Sequence, residues 1–166
     1  MNTTIKVMIA ICLFFFISCD KENSKPADEF TLKSNANTGF LFEKLKIINF
    51  PNSNNLKPDF ILSPHITANG GVVSPYFSHV DLESRFHLSG EFDSYENALN
   101  YYESYILSDD VHFQQFALPV RPNQVWLILT NNERYGVVLV KSTEFNDNND
   151  TPYAEATFKA KLLSQD

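Results

Sequence analysis

Cysteine is almost absent from this chain. Cys12 and Cys19 are the only two in 166 residues, and both lie in the first nineteen. From Asp20 onward there is no thiol, which excludes a disulfide framework, a thiolate metal centre and a cysteine nucleophile there. Glycine is scarce, with five in all, and no glycine-rich loop is present to cradle a phosphate. Neither Gly-x-Ser-x-Gly nor His-Glu-x-x-His occurs. Basic residues are outnumbered: 13 Lys and Arg face 20 Asp and Glu, a net charge of −7. A folded body of that sign repels nucleic acid and anionic head groups. Long apolar runs are missing too. The longest, Val7 to Ile17, would span about 16 Å as a helix, too short for a hydrocarbon core about 30 Å thick.

What is present begins at the N-terminus. Lys6 precedes the apolar run, and Ser18-Cys19 follows it. A positive charge, a short apolar core and a small residue are the parts of a secretion signal. The same pattern also fits a short membrane anchor that stays attached, or an ordinary cleaved signal in which Cys19 is incidental. Phe16-Ile17-Ser18-Cys19 resembles the processing site of bacterial lipoproteins, although that family prefers Leu where Phe16 stands. The resemblance implies removal of residues 1–18 and lipidation of Cys19. Asp20-Lys21-Glu22 resembles the surface-export stretch of Bacteroidota-type lipoproteins, which implies an outer-membrane, surface-exposed protein. A solvated linker with chance charges is the alternative.

Residues 19–29 read as the lipidated cysteine and a polar tether, and 30–166 as one globular domain. Fifteen Phe, seven Tyr and one Trp supply its core. Phe40 to Phe42 and Leu45 to Phe50 read as one long strand or two short ones, Asp59 to Ser63 as a strand, and Val72 to Phe77 as an edge strand or bulge because of Pro75. Asn69-Gly70-Gly71 marks a turn. Residues 93–107 carry apolar side chains at helical spacing, Tyr95, Ala98, Leu99, Tyr102, Tyr105 and Ile106, behind an Asp93/Glu96 capping pair. That tyrosine stripe reads as the core face of the helix, with ligand stacking as the alternative.

Gln124 to Thr130 and Tyr135 to Lys141 are apolar on both faces, which predicts strands covered on both sides, joined by a hairpin loop at 131–134. Tyr153 to Leu163 alternates, with Ala154, Ala156, Phe158, Ala160 and Leu162 on one face. The alanines leave room for the helix or a facing sheet. The expected fold is mostly β, with α+β as the variant: two packed, largely antiparallel sheets, six to nine strands, and one helix near residues 93–107.

Candidate chemistry centres on four histidines: His65, His79, His87 and His112. If 79–87 is a strand, His79, Asp81, Glu83 and His87 form a row that could hold a divalent metal, against the alternative of ordinary surface polar residues. Asn146 to Thr151 is rich in oxygen ligands but lacks the glycine and glutamate of a calcium loop, and reads as a solvated hairpin loop. Glu91 and Asp93 are neighbours only in sequence, which does not make a glycosidase pair. Val125 to Asn131, Arg134 to Val140 and Ala156-Thr157-Phe158 resemble the closing strands of HmuY-like lipoproteins, all-β proteins that capture haem between two histidines. This chain has Glu133-Arg134-Tyr135 where those carry a Gly-Lys-Tyr-like hairpin. The resemblance implies haem as a cofactor, with His79 and His112 as the pair drawn from different elements.

The expected function is a lipid-anchored, non-enzymatic binding or interaction protein of the cell envelope. Its partners are the membrane, through Cys19, and an envelope protein or small ligand, with no nucleic acid and no resident cofactor. A haem- or metal-capturing surface lipoprotein is the alternative, and a hydrolase the third class. An exposed aromatic or apolar groove is expected in the folded domain.

Overall fold

The computed structural model describes residues 29–146 and 151–164. Cys19 and the stretch before Glu29 therefore lie outside the described residues, as do 147–150 of the oxygen-rich loop. Among the described residues there are ten strands and one α-helix: β1 (Glu29–Lys33), β2 (Thr38–Leu41), β3 (Lys46–Asn49), β4 (Phe60–Ile66), β5 (Val72–Ser78), β6 (Phe86–Glu91), α1 (Tyr95–Glu103), β7 (Phe116–Ala117), β8 (Gln124–Leu129), β9 (Tyr135–Asn146) and β10 (Tyr153–Leu162). They form two antiparallel five-stranded sheets. One has the order β1-β10-β9-β8-β6 and the other β3-β2-β4-β5-β7. The expected class, mostly β with two packed sheets and a single helix, is the one observed.

The two-sided apolarity of β8 and β9 has its reason in three layers. Trp126, Ile128, Val138 and Val140 face the second sheet and join one buried cluster with Phe40, Phe42, Phe60, Phe77, Phe86 and Phe158. Val125, Leu127, Val137 and Leu139 face the other way, where Ala98 and Tyr102 of α1 cover them. Between the sheets the rings interlock: Phe60 lies 4.8 Å from Phe77, 5.4 Å from Phe40 and 5.5 Å from Phe158, centroid to centroid. Each such pair adds about 0.5–1.5 kcal/mol beyond the area it buries. Ala154 and Ala156 on β10 belong to this same cluster. The room they leave is filled by the facing sheet, not by α1.

Several boundaries differ from the sequence reading. The helix starts at Tyr95, because the Ser94 hydroxyl, one residue past Asp93, accepts the Asn97 N–H at 3.2 Å and serves as N-cap. It ends at Glu103. Ser104 turns its hydroxyl back onto the Asn100 carbonyl at 2.7 Å, and Lys161 of β10 donates to the carbonyls of Tyr102 and Glu103. A cation on those last carbonyls caps the helix. Ile106 consequently falls beyond the helix and is 85 % exposed rather than part of the core face. Residues 40–50 form a hairpin of two strands around a 3-10 turn at Phe42–Lys44. β4 and β9 run on to Ile66 and Asn146, past the expected ends. β5 behaves as an edge at Pro75: its neighbour β7 pairs only with Phe77 and Ser78. The Pro75 carbonyl accepts from Val120, so the proline nitrogen turns away from β4 and no ladder bond is lost. Six to nine strands were expected and ten are seen among the described residues: β7 had no counterpart in the sequence reading, and of the conditional strand over 79–87 only Phe86 and His87 belong to a strand, β6.

Candidate functional site

The expected groove lies on the outer face of the second sheet. Strand alternation sends Leu62, Phe77 and Ala117 into the core and their neighbours outward. Ser63 stands opposite Tyr76, His65 opposite Ser74, and Phe116 of β7 opposite Ser78. Tyr76 and Phe116 meet edge to face, 5.6 Å between centroids. With Pro64, His65, Ile66 and Leu118 they line an open groove of about 410 Å³. Ile66 and Leu118 are exposed on its rim. Ser74 shares this face with His65 and Tyr76. Its hydroxyl is buried and, among the described residues, has no hydrogen-bond partner. Such a group costs about 1–3 kcal/mol while unsatisfied. α1 packs on the other sheet, against β8 and β9, and leaves this face uncovered.

A second, polar cavity of about 360 Å³ sits at the end of the sandwich where the β8–β9 turn meets residues 55–57 and 79–85. Its frame is Asp59, which is 2 % exposed. One carboxylate oxygen accepts the Phe42 N–H and the other the Asn131 N–H, each at 2.7 Å. Asn131 in turn donates from Nδ2 to the Lys57 carbonyl at 3.2 Å, which leaves Oδ1 to receive the His79 Nε2–H at 2.8 Å. The other ring nitrogen of His79, Nδ1, accepts the Asp81 N–H at 3.2 Å. Lys57 pairs with Asp81 at 2.8 Å. Arg85 holds Glu83 with its Nε at 2.6 Å and the Thr130 carbonyl with Nη1 at 2.7 Å.

Burial pushes the Asp59 carboxyl above the usual aspartate range, against the pull of its two backbone N–H donors and of His79 and Arg85. Lys57 holds Asp81 below that range. Because Asp59 serves two backbone donors, Asp59→Ala is expected to cost about 1–3 kcal/mol for each N–H left without an acceptor. A carboxyl raised by folding contributes stability that is fully present below its unfolded pKa and is lost as pH rises through the folded value. The stability gap between wild type and Asp59→Ala should therefore be wider at pH 4 than at pH 7. Guanidinium unfolding midpoints at the two values check this, and a gap that narrows on acidification would contradict it.

The sequence-derived candidates are dispersed by the fold. His79, Asp81 and Glu83 do come together, with ligand atoms within 4.8 Å of one another. They do so on a turn rather than a strand: the His79 carbonyl accepts the Leu82 N–H, and Leu82 takes a left-handed φ of 57°. The row therefore ends at Glu83. His87 restarts on β6, where Nδ1 lies 3.1 Å from the His112 carbonyl. The haem pair is not assembled. His79 is 1 % exposed and lines the polar cavity, whereas the His112 side chain is 89 % exposed and pairs with Asp110. His112 lines neither cavity. Of the tyrosine stripe, Tyr102 is buried, and Tyr95 and Tyr105 pack partly buried in the cluster beneath α1. Glu91 lies beside Arg121 and Gln124.

The sequence reading missed Phe116 of the groove and the Asp59–Asn131 frame of the polar cavity. Phe116 sits on a two-residue strand that has no pattern of its own, and Asp59 and Asn131 are 72 positions apart. The one available signal for the groove was the outward place of Tyr76 in an alternating strand. No helix among the described residues is long and apolar enough to cross a membrane. Comparison with known protein families, curated proteins and solved structures gives no match.

Proposed function

We propose that this chain is a lipid-anchored, non-enzymatic binding protein of the cell envelope, held to the outer membrane through Cys19, whose outer-sheet groove takes a ligand or partner segment with an apolar or aromatic group. The observation that carries the reading is the groove itself: a half-buried Tyr76–Phe116 pair with the exposed apolar rims of Ile66 and Leu118. An open groove lined by aromatic and apolar side chains is a surface suited to recognition. The groove carries no carboxylate, lysine or arginine on its lining, which suits binding of an apolar group.

Strand direction sets which end of the domain a tether from Cys19 would meet. β1 enters its sheet at Glu29, opposite Lys159, and runs down to Lys33, opposite Glu155. The chain thus enters from the end that carries the 131–134 turn, while the groove extends toward the opposite end, where β4 stops at Ile66. The nine residues between Cys19 and Glu29 reach about 30 Å when extended. A domain hung from Cys19 would then present its groove away from the bilayer.

The test is site-specific photocrosslinking in cells. A benzophenone amino acid at Tyr76 should yield a discrete adduct that Phe116→Asp abolishes, and the same probe at Glu96 on α1 should yield none. Equal labelling at both positions, or an adduct indifferent to Phe116→Asp, would count against the groove.

A further inference from the structure

We propose that the polar cavity binds a divalent metal ion of the zinc class through His79 Nδ1, Asp81 and Glu83, independently of the groove. Three observations converge on it. The first is geometric. The three ligand atoms lie within 4.8 Å of one another, and metal–ligand distances of about 2.0–2.2 Å require the two half-exposed carboxylates to rotate inward and the Asp81 N–H to leave Nδ1.

The second observation is the state of the histidine. Asn131 is fixed by its own bonds to Asp59 and to the Lys57 carbonyl, so its Oδ1 accepts and the His79 Nε2 must donate. The proton is thereby placed on Nε2 and the lone pair on Nδ1, on the side of Asp81 and Glu83. A metal-binding histidine is oriented by this same outer contact, in which the far nitrogen donates to a fixed oxygen. The ring is almost fully buried, so its orientation is set before any ion arrives. An ion at Nδ1 would have to displace the Asp81 backbone N–H that this nitrogen now accepts at 3.2 Å.

The third observation is charge. Glu43, Asp81 and Glu83 line the cavity together with Lys57 and Arg85, and the Asp59 carboxyl is buried behind them. Ionised, the four acids exceed the two cations, and a divalent ion offsets the excess. The cations do not close the site. Lys57 and Asp81 form an exposed pair, worth about 0–1 kcal/mol, and Arg85 keeps its bond to the Thr130 carbonyl whether or not it holds Glu83. Lys57 holds Asp81 Oδ2, and Arg85 holds Glu83 Oε2. Among the described residues Asp81 Oδ1 and Glu83 Oε1 have no hydrogen-bond partner, while the Glu83 oxygen 3.9 Å from His79 Nδ1 is Oε2, the one that Arg85 holds. One imidazole and two carboxylates favour Zn²⁺, Co²⁺ or Mn²⁺ over Ca²⁺, which seeks only oxygen, and over Cu⁺, which seeks sulfur. Three protein ligands leave a fourth position open toward the cavity.

Co²⁺ serves as the probe, added to the untagged full-length protein in detergent micelles. The expected result is a saturable visible d–d absorption at one equivalent, displaced by Zn²⁺, with the ¹⁵N resonance of His79 Nδ1 shifting on Zn²⁺ addition. Asp81→Asn and Glu83→Gln change exposed side chains and should fold as wild type, yet each should weaken binding about tenfold or more. His112→Ala should leave binding unchanged. The proposal is overturned if no saturable band forms, if the His79 resonance does not move, if both carboxylate variants bind as wild type, or if His112→Ala removes the signal.

Discussion

Gly136→Val is expected to destabilise the domain strongly. Gly136 lies in β9, paired with Ile128 on one side and Leu162 on the other, and the Phe42 ring packs directly on its α-carbon. A Cβ at this position would stand 2.3–2.6 Å from three carbons of that ring, inside any real contact. The ring has nowhere to go. Phe42 is 0 % exposed, with Phe40 edge-on at 5.1 Å and Phe60 at 6.0 Å, and its own N–H is tied to Asp59. Overpacking a tight core costs about 1–3 kcal/mol, and expelling a buried phenylalanine costs about 3–5 kcal/mol. Either is a large part of the 5–15 kcal/mol that holds a typical domain together. Gly136→Ala should be milder but still destabilised, and Phe42→Leu should recover part of that loss by removing the clashing ring atoms. Guanidinium unfolding of the two single variants and the double variant measures the coupling. Strictly additive losses would show that glycine is not required there by Phe42.

Cys19→Ser should move the protein from the membrane pellet to the soluble fraction while leaving the fold intact. The proposal assigns all membrane affinity to lipid on Cys19. The chain's net charge of −7 gives the body no attraction for anionic head groups, and no described helix is long and apolar enough to cross. Acyl chains contribute about 0.8 kcal/mol per buried CH₂, and stable attachment needs more than one of them. Loss of the attachment sulfur should therefore be close to all or none in fractionation. The fold should not notice, because Glu29 already closes β1 through its pairing with Lys159 and its ion pair with Lys141 at 2.8 Å. A Cys19→Ser protein that stays in the pellet, or that unfolds at a lower denaturant concentration, would contradict this.

The core of the fold was legible because some segments carry their burial in their own pattern. β8 and β9 are apolar on both faces because the second sheet lies on one side and α1 on the other, and β10 alternates because only one of its faces is deeply buried. β6 was not legible. Ser89 and Gly90 break its alternation, and a bulge lies between Leu88 and Gly90, so no period survives over six residues. β7 is two residues long and exists only because β5 offers it an edge. The turn at His79 hid for a related reason: Leu82 adopts a left-handed conformation that leucine does not advertise.

The sites were harder still. His79, Asp81 and Glu83 were singled out together from spacing that assumed a strand, and a turn brings them together instead. What orders them comes from far along the chain: Asn131 is 52 positions from His79, and Arg85 reaches Thr130 across 45. The groove likewise joins Tyr76 to Phe116, residues with no shared local pattern.

The central claim is that this β-sandwich is a processed, lipid-anchored protein presenting a binding face. Its most direct test is the intact mass and N-terminal peptide of the protein isolated from its own membranes. The account predicts a chain that begins at Cys19, lacks residues 1–18, and carries a diacylglyceryl thioether on that cysteine. A chain that retains residues 1–18, or one cut elsewhere with Cys19 unmodified, would contradict it.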